Sequence, residues 1–192
     1  ENFLSTIDSE GKRMSRLIDD MLLLSQADAH AFPIHLQPVE CDTLLLNSFE
    51  TFEPMAKEKN ISFTVSLPRT ALPPCLSDGE RLSQVIAILL HNAISYTPSG
   101  GSISLALSSN TAKKPEALTL SIADNGIGIP DEEKDKIFQR FYRSDRSRSV
   151  KNHFGLGLPI ASEIIRSLDG TIRVVDTPGG GSTFLVRLPF RS

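Results

Sequence analysis

The organising segment of this chain is LTLSIADNGIGIP, residues 118–130. Its first six residues have the apolar, β-favouring character of a buried strand. Asp124 follows at the end of that strand, where a carboxylate can accept hydrogen bonds from a flat donor such as the amino group of a purine. Gly126 and Gly128 let the backbone turn sharply and approach a ligand where a Cβ would collide. Asn-Gly and Asp-Asn are also common turn formers, so the segment alone is equally compatible with an ordinary strand-to-loop turn.

The composition is that of a soluble globular domain with an appendage. The chain has 192 residues, of which 40% are hydrophobic and 22% are charged. Its formal net charge of -3 gives no electrostatic footprint for nucleic acid. Cys41 and Cys75 are its two cysteines and lack CxxC spacing, which favours a reducing compartment over a disulfide framework or a metal site. No apolar run is long enough to span a bilayer. Because Glu1 already lies within a helical pattern, we expect the chain to be a piece of a longer protein.

The chain divides into three predicted parts. Residues 1–28 form one helix, whose apolar stripe includes Ile7, Met14 and Ile18. A stripe of this strength needs a partner, and a helical bundle is favoured over packing on the helix's own domain. Residues 29–38 carry two prolines and are predicted to be a linker, and residues 39–192 form the main domain.

The main domain is predicted to be α+β. A helix covers residues 41–60, with Pro54 expected to kink or restart it, and a second helix begins after a capping Asp78 and ends near Tyr96. A third helix opens near Pro159 and ends at Gly170. The acidic run 131–133 suits another helix N-terminus. Five strands are predicted, the last two forming a hairpin, at residues 61–67, 102–107, 118–123, 171–175 and 182–188.

Two further features could bind a nucleotide. Asn92, late on the second helix, offers an amide oxygen to a hard cation such as Mg²⁺, although a buried or capping amide is an equally good interpretation. Gly155-Leu156-Gly157 directly precedes a helix, where backbone amides and the helix dipole favour an anion, or where the helix simply begins. The third glycine of a dinucleotide fingerprint is absent and no GK[ST] occurs, so the Rossmann and Walker interpretations fail.

A basic cluster lies between the two glycine loops. Its guanidinium groups suit phosphate oxygens, but several of these side chains are expected to be simply solvated. The basic residues are Arg140, Arg143, Arg146, Arg148 and Lys151.

The segment GGGST, residues 179–183, is interpreted first as a hairpin turn.

In their order and spacing, the asparagine helix, DNGIGIP, FQRFYR, GLGL and GGGST resemble the catalytic ATP-binding domain of bacterial sensor histidine kinases. The resemblance covers roughly residues 39–190. It implies the Bergerat ATP-binding fold of the GHKL group, a two-layer α/β sandwich with a mixed five-stranded sheet and helices on one face. The first 28 residues, notably MSRLIDDMLLLS at 14–25, are similar to the second helix of the family's dimerisation domain.

The resemblance implies roles for individual residues. Asp124 would accept the adenine amino group, and Asn92 would hold a Mg²⁺ ion that bridges the triphosphate. Arg143 and Arg148 would reach the terminal phosphate, which makes them, with Asn92, the implied catalytic residues. The other residues placed around the nucleotide are Tyr96, Gly126, Gly128, Ile129, Gly155, Leu156, Gly157, Leu158 and Thr183.

The chain also departs from the family pattern. Ile88 stands where a second asparagine or acidic residue is common, and Ser95 replaces a usual basic residue. Both changes put the rate of phosphoryl transfer in question, and Ile88 argues against an ATPase, which needs a base for water. The histidines lack the context of the family's phosphoacceptor, whose helix is expected to lie before Glu1; they are His30, His35, His91 and His153.

The predicted function is the ATP-binding core of a sensor histidine kinase. The intact protein would transfer the γ-phosphoryl of Mg·ATP to a histidine and then to the receiver domain of a response regulator. It would form a homodimer through its dimerisation helices, and this part would be the cytoplasmic portion of a membrane sensor, anchored only by segments outside the chain. The alternatives are a regulatory nucleotide-binding module with weak or no catalysis, an anti-sigma-type serine kinase and a GHKL ATPase.

Overall fold

The computed structural model describes residues 7, 11, 14, 15, 17–25, 33–109, 116–143 and 154–191. The first helix, α1, is continuous over residues 17–25, as predicted. One side of it is anchored, because Leu24 is only 4% exposed and belongs to the hydrophobic core. Met14 and Ile18 are more than half exposed, so that part of the predicted apolar stripe has no cover within the described chain. No helix of the described part is both long and apolar enough to cross a membrane.

The main sheet has the five predicted strands. In chain order the strands are β2 (Ser62–Ser66), β4 (Ser102–Ser109), β5 (Ala117–Asp124), β6 (Thr171–Asp176) and β7 (Ser182–Pro189); β1 and β3 belong to a second sheet described below. Their order in the sheet is β2-β4-β5-β7-β6, with β2 parallel to β4 and all other neighbours antiparallel. The sheet is therefore mixed, as expected.

Three helices cover one face of this sheet. Alternate residues of the central strands, such as Ile103, Leu105 and Ile122, are buried under them, while Ser104 and Ser108 on the opposite face are exposed. Successive residues of a strand point to opposite faces, so a sheet covered on one face buries every second residue, as observed. The helices are α2 (Cys41–Glu58), α3 (Gly79–Tyr96) and α4 (Gly157–Ser167).

Most helix boundaries agree with the sequence, with three corrections. Asp78 caps α3 as predicted, since its side chain accepts a hydrogen bond from the backbone amide of Arg81 at 3.0 Å. However, α2 continues through Pro54 without restarting. The acidic run forms only a short 3₁₀ turn at Asp131–Glu133, followed by another at Lys136–Phe138. The acidic residues thus occupy the first turn of a helical segment, but the segment is 3₁₀, a type that seldom extends beyond three or four residues.

The third correction concerns the end of α4. Asp169, not Gly170, adopts the left-handed conformation that ends the helix, with φ at 56°. Its amide bonds to the carbonyl of Arg166, and the amide of Gly170 bonds to that of Ile165, which is the pattern of a Schellman motif. Gly170 is required for a different reason, because a Cβ there would lie 2.7 Å from the carbonyl oxygen of Arg187.

A small second sheet was not predicted. Strand β1 (Gln37–Val39) pairs antiparallel with β3 (Cys75–Ser77). The segment predicted as a linker therefore ends in a strand held by the main domain, while residues 29–32 lie outside the described part. Cys41 and Cys75 are both buried and free, as expected, and burial, reinforced by Cys75, raises the pKa of the Cys41 thiol to about 12.

Candidate nucleotide-binding site

Asp124, the last residue of β5, is the buried polar centre of the site. It is only 6% exposed, and its Oδ1 accepts hydrogen bonds from the amides of Gly126 at 2.8 Å and Ser182 at 3.3 Å. Burial raises the pKa of this carboxyl, and the two backbone hydrogen bonds oppose that shift. Its Oδ2 makes no hydrogen bond within the part of the chain that the structure describes. The carboxylate is thus fixed through one oxygen and can accept from a ligand through the other.

The DNGIG loop is locked against the end of α3. A Cβ on Gly126 would lie 2.5 Å from the carbonyl oxygen of Tyr96, so only glycine permits this approach. The amide of Ile127 donates to the same carbonyl at 3.4 Å. Asn125 fixes the other side of the loop, because its Oδ1 accepts from the amide of Ser102 at 2.7 Å. Tyr96 and the loop therefore form one structural unit.

The β6–β7 hairpin supports the back of Asp124. Gly181 has a φ of 98°, and a Cβ on it would lie 2.0 Å from the carbonyl oxygen of Asp124. Thr183 pairs with Ala123 in the sheet, and its hydroxyl lies 2.8 Å from that of Thr177. The GGGST segment is a hairpin turn, as interpreted, but its third glycine and following serine also hold Asp124. A turn motif by itself gives no sign of such a long-range contact.

Asn92 lies between the two glycine loops. Residues four apart share a face of a helix, so Ile88, Asn92 and Tyr96 succeed one another along α3. At one end, a Cβ on Gly157 would lie 3.2 Å from Cγ2 of Ile88. At the other end, the carbonyl of Tyr96 contacts the DNGIG loop. Asn92 is partly exposed between these contacts.

The GLGL segment starts α4 beside this helix. Gly155 has a φ of 74°, and a Cβ there would lie 2.6 Å from the carbonyl oxygen of Tyr142. Gly157 is the first residue of α4, which begins without a side-chain cap and so leaves first-turn amides for an anion. The Leu156 side chain is 1% exposed and belongs to the core, so this residue can face a ligand only through its backbone. Leu158 is partly buried against the same core.

Among the described residues, the structure brings most of the predicted site residues to one region. Gly128 has a φ of 70° and its Cβ position lies 3.6 Å from the carbonyl of Gly181, while Ile129 packs against the core. Arg143 is partly buried at the end of a described segment, and Arg148 lies outside the described residues.

The residues present fit an adenine nucleotide with a hard cation. The open oxygen of Asp124 suits a ring amino group, and the uncapped start of α4 suits phosphate oxygens. Asn92 offers one amide oxygen, which suits Mg²⁺ because this ion usually takes few protein ligands and keeps waters and phosphates. Among the described residues, no group of three or more histidine, cysteine, aspartate or glutamate side chains could hold a metal ion.

These features define an α+β domain whose candidate nucleotide site has a buried aspartate at its centre. The chain belongs to the family of histidine kinase-, DNA gyrase B- and HSP90-like ATPases, whose model matches residues 77–192.

Its curated relatives are sensor kinases. The chain is 34% identical to sensor histidine kinase WalK of Bacillus subtilis, over 98% of the chain and 30% of WalK. It is 37% identical to the adaptive-response sensory kinase SasA of Microcystis aeruginosa, over 92% of the chain and 44% of SasA. The chain thus spans less than half the length of these two relatives.

Solved structures agree with the fold. The crystal structure of full-length ShkA in complex with AMPPNP superposes with a TM-score of 0.87 at 27% identity, covering 100% of this chain and 39% of ShkA. The nucleotide-free catalytic domain of histidine kinase ThkA superposes with a TM-score of 0.71 at 25% identity, covering 81% of this chain and 96% of that domain. The predicted α+β class and the predicted family are both confirmed.

Proposed function

We propose that this chain is the ATP-binding catalytic core of a two-component sensor histidine kinase. The observation that carries the proposal is the carboxylate of Asp124, buried at a strand end, fixed through Oδ1 and open at Oδ2. A fixed acceptor in a buried position discriminates strongly, because a ligand without the matching donor leaves it unpaired. The family and the AMPPNP complex of ShkA support a nucleotide as that ligand.

The chain's own residues would divide the work of binding. Asp124 would accept the adenine amino group, and Gly126 and Gly128 would keep the pocket open beside it. The first-turn amides of α4 would hold phosphate oxygens, and Asn92 would contribute its oxygen to Mg²⁺. Bound Mg²⁺ would neutralise charge on the β- and γ-phosphates.

The reaction of the whole protein would be phosphoryl transfer. The bond between the γ-phosphorus and its bridging oxygen breaks, ADP leaves, and a bond forms to an imidazole nitrogen of an acceptor histidine. A second transfer would move the phosphoryl group to an aspartate of a response regulator. Because such a transition state needs little covalent help, the protein mainly supplies positioning and charge, for which Arg143 and Arg148 are the candidates near the phosphates. Homodimerisation through α1 belongs to the same proposal.

A second candidate, a regulatory nucleotide-binding module, is favoured by one contact. Ile88 places an apolar side chain against Gly157, at the phosphate end of the site. It can neither bind a metal ion nor activate a nucleophile there. Supplying the chain with a histidine-bearing dimerisation domain and labelled ATP separates the two functions. Labelled histidine supports the kinase, whereas no transfer despite measured ATP affinity supports the regulatory module.

The test of the site is nucleotide binding by calorimetry, with and without Mg²⁺. Asp124→Asn should weaken ATP binding by roughly 10- to 100-fold, the cost of losing a charge-assisted hydrogen bond at a buried position. Asn92→Ala should weaken binding only when Mg²⁺ is present. Asp42→Asn, at the distant start of α2, is the matched control and should bind like the parent. If Asp124→Asn also bound like the parent, the adenine would lie elsewhere.

A further inference from the structure

The C-terminal end of α3 carries no basic residue in its last turn, yet its final carbonyls are all hydrogen-bonded. The last four carbonyls of a helix lack amide donors from within that helix. The helix dipole also favours a cation near them. Here the ammonium of Lys59 donates to the carbonyl of Ile94 at 2.6 Å and to that of Ser95 at 3.0 Å. The cation at the C-terminal end of α3 is therefore supplied by Lys59, the residue that follows α2.

The other two carbonyls are bonded to the chain on either side of the site. The carbonyl of Ala93 accepts from the amide of Thr97 at 3.0 Å. The carbonyl of Tyr96 accepts from the amide of Ile127 in the DNGIG loop at 3.4 Å, and it also lies against Gly126. The last turn of α3 is therefore hydrogen-bonded to Lys59 on one side and to the DNGIG loop on the other.

We propose that Lys59 is a positioning residue of the nucleotide site. It acts through α3, by fixing the last turn of that helix so that Tyr96 presents its carbonyl to the DNGIG loop and keeps Asp124 in place. The proposal rests on the proposed function of that site. The two groups that Lys59 hydrogen-bonds are the backbone carbonyls of Ile94 and Ser95, and neither residue is among those assigned to the nucleotide.

The local backbone shows why a lysine reaches this place. Lys59 is the C-cap of α2, and Asn60 after it turns the chain with a φ of 58°. The carbonyl of Asn60 accepts from the amide of Gly100 at 2.8 Å, in the loop that follows α3. This turn brings the ends of α2 and α3 together, and the partly buried Lys59 side chain closes the gap between them. Loss of the ammonium would leave two helix-end carbonyls to water and let the last turn of α3 fray.

The experiment compares Lys59→Met with Lys57→Met. Lys57 lies on the same helix, is 70% exposed and pairs only at the surface with Glu53, so it controls for loss of a lysine. We expect Lys59→Met to weaken ADP binding in the absence of Mg²⁺ by about tenfold, as loss of a residue that supports a ligand-contacting group commonly does. Lys57→Met should stay within about twofold of the parent. Omitting Mg²⁺ leaves out the contribution of Asn92.

A second readout separates positioning from simple loss of stability. Amide hydrogen exchange of Ile127, measured without nucleotide, should be faster in Lys59→Met, whereas exchange in the central strand β5 should match the parent after correction for global stability. Lys59→Arg should restore part of both effects, because it keeps a cationic donor. If Lys59→Met does not fold, Lys59→Gln, which keeps a neutral donor, takes its place with the same expectations.

The outcomes are distinguishable. Failure of the parent to bind any adenine nucleotide would refute the proposed function, while faster exchange at Ile127 would still support the contact to α3. A parent that binds ADP while Lys59→Met binds it equally well, with unchanged exchange at Ile127, would overturn the role of Lys59.

Discussion

Gly181→Ala should displace the backbone of Asp124 and so perturb the candidate nucleotide site. Gly181 has a φ of 98°, and its Cβ would lie 2.0 Å from the carbonyl oxygen of Asp124 and 2.6 Å from the Cα of Asn125. Both atoms belong to backbone and cannot rotate away. The unfavourable φ costs about 1–3 kcal/mol, and forcing apart two packed segments adds typically 1–3 kcal/mol. The free energy of unfolding should therefore fall by roughly 2–6 kcal/mol.

Gly179→Ala is the matched control, because it isolates the cost of the backbone conformation. Gly179 lies in the same turn with a φ of 92°, but no atom lies within 4 Å of its Cβ position. Urea denaturation should show a loss of only about 1–3 kcal/mol for Gly179→Ala. ATP affinity should fall in Gly181→Ala and not in Gly179→Ala, since only the former displaces Asp124. Equal stability losses and equal affinities in the two variants would refute the assignment of Gly181 as a support of the site.

Two further predictions concern the aspartates. As the pH is lowered, the ATP affinity of the parent should begin to fall above 3.8, the ordinary pKa of an aspartate carboxyl, because burial raises the pKa of Asp124 and its ionised form is the proposed acceptor. Asp124→Asn should bind more weakly, with no such pH dependence in calorimetric titrations. The raised pKa also means that the contribution of Asp124 to stability is largest at low pH and is lost as the pH rises through its folded value. Asp78→Ala should lower the free energy of unfolding by about 1–3 kcal/mol in urea, because its carboxylate caps α3 and also accepts from the amide of His35 at 2.9 Å.

Each of these predictions has a clear contrary result. A flat pH profile in the parent would show that Asp124 does not titrate at the ligand. For Asp78→Ala, the control is Asp42→Ala. Among the described residues, the carboxylate of Asp42 accepts only from the neighbouring amide of Thr43, so its loss should change stability by less than about 0.5 kcal/mol. Equal effects of the two changes would mean that the cap and the contact to His35 contribute little.

Local patterns were sufficient for most of the elements. All five strands of the main sheet and helices α2, α3 and α4 lie where apolar periodicity and turn residues predict them. Asp78 is the clearest case, since an aspartate before an apolar helical pattern can satisfy the first amides of that helix by itself. The sequence was less exact in three places: α2 does not restart at Pro54, Asp169 and not Gly170 takes the left-handed conformation, and the acidic run 131–133 forms a 3₁₀ turn.

The sequence by itself supplied the candidate groups of the site. Asp124 after a buried strand, Asn92 on a helix and the glycines of both loops could be selected as candidates from their residue types and positions. Their family order then connected groups that are far apart in the chain.

Only the tertiary structure decided how those groups are held. The contact of Gly181 with Asp124, the bonds of Lys59 to Ile94 and Ser95, and the pairing of β1 with β3 join segments separated by 35 or more residues. Each of these contacts has a backbone group on at least one side, and every residue possesses such groups, so no side-chain pattern predicts which of them will meet. The physical reason is that local sequence determines the conformation of a segment, whereas the packing of the whole chain determines which backbone groups meet.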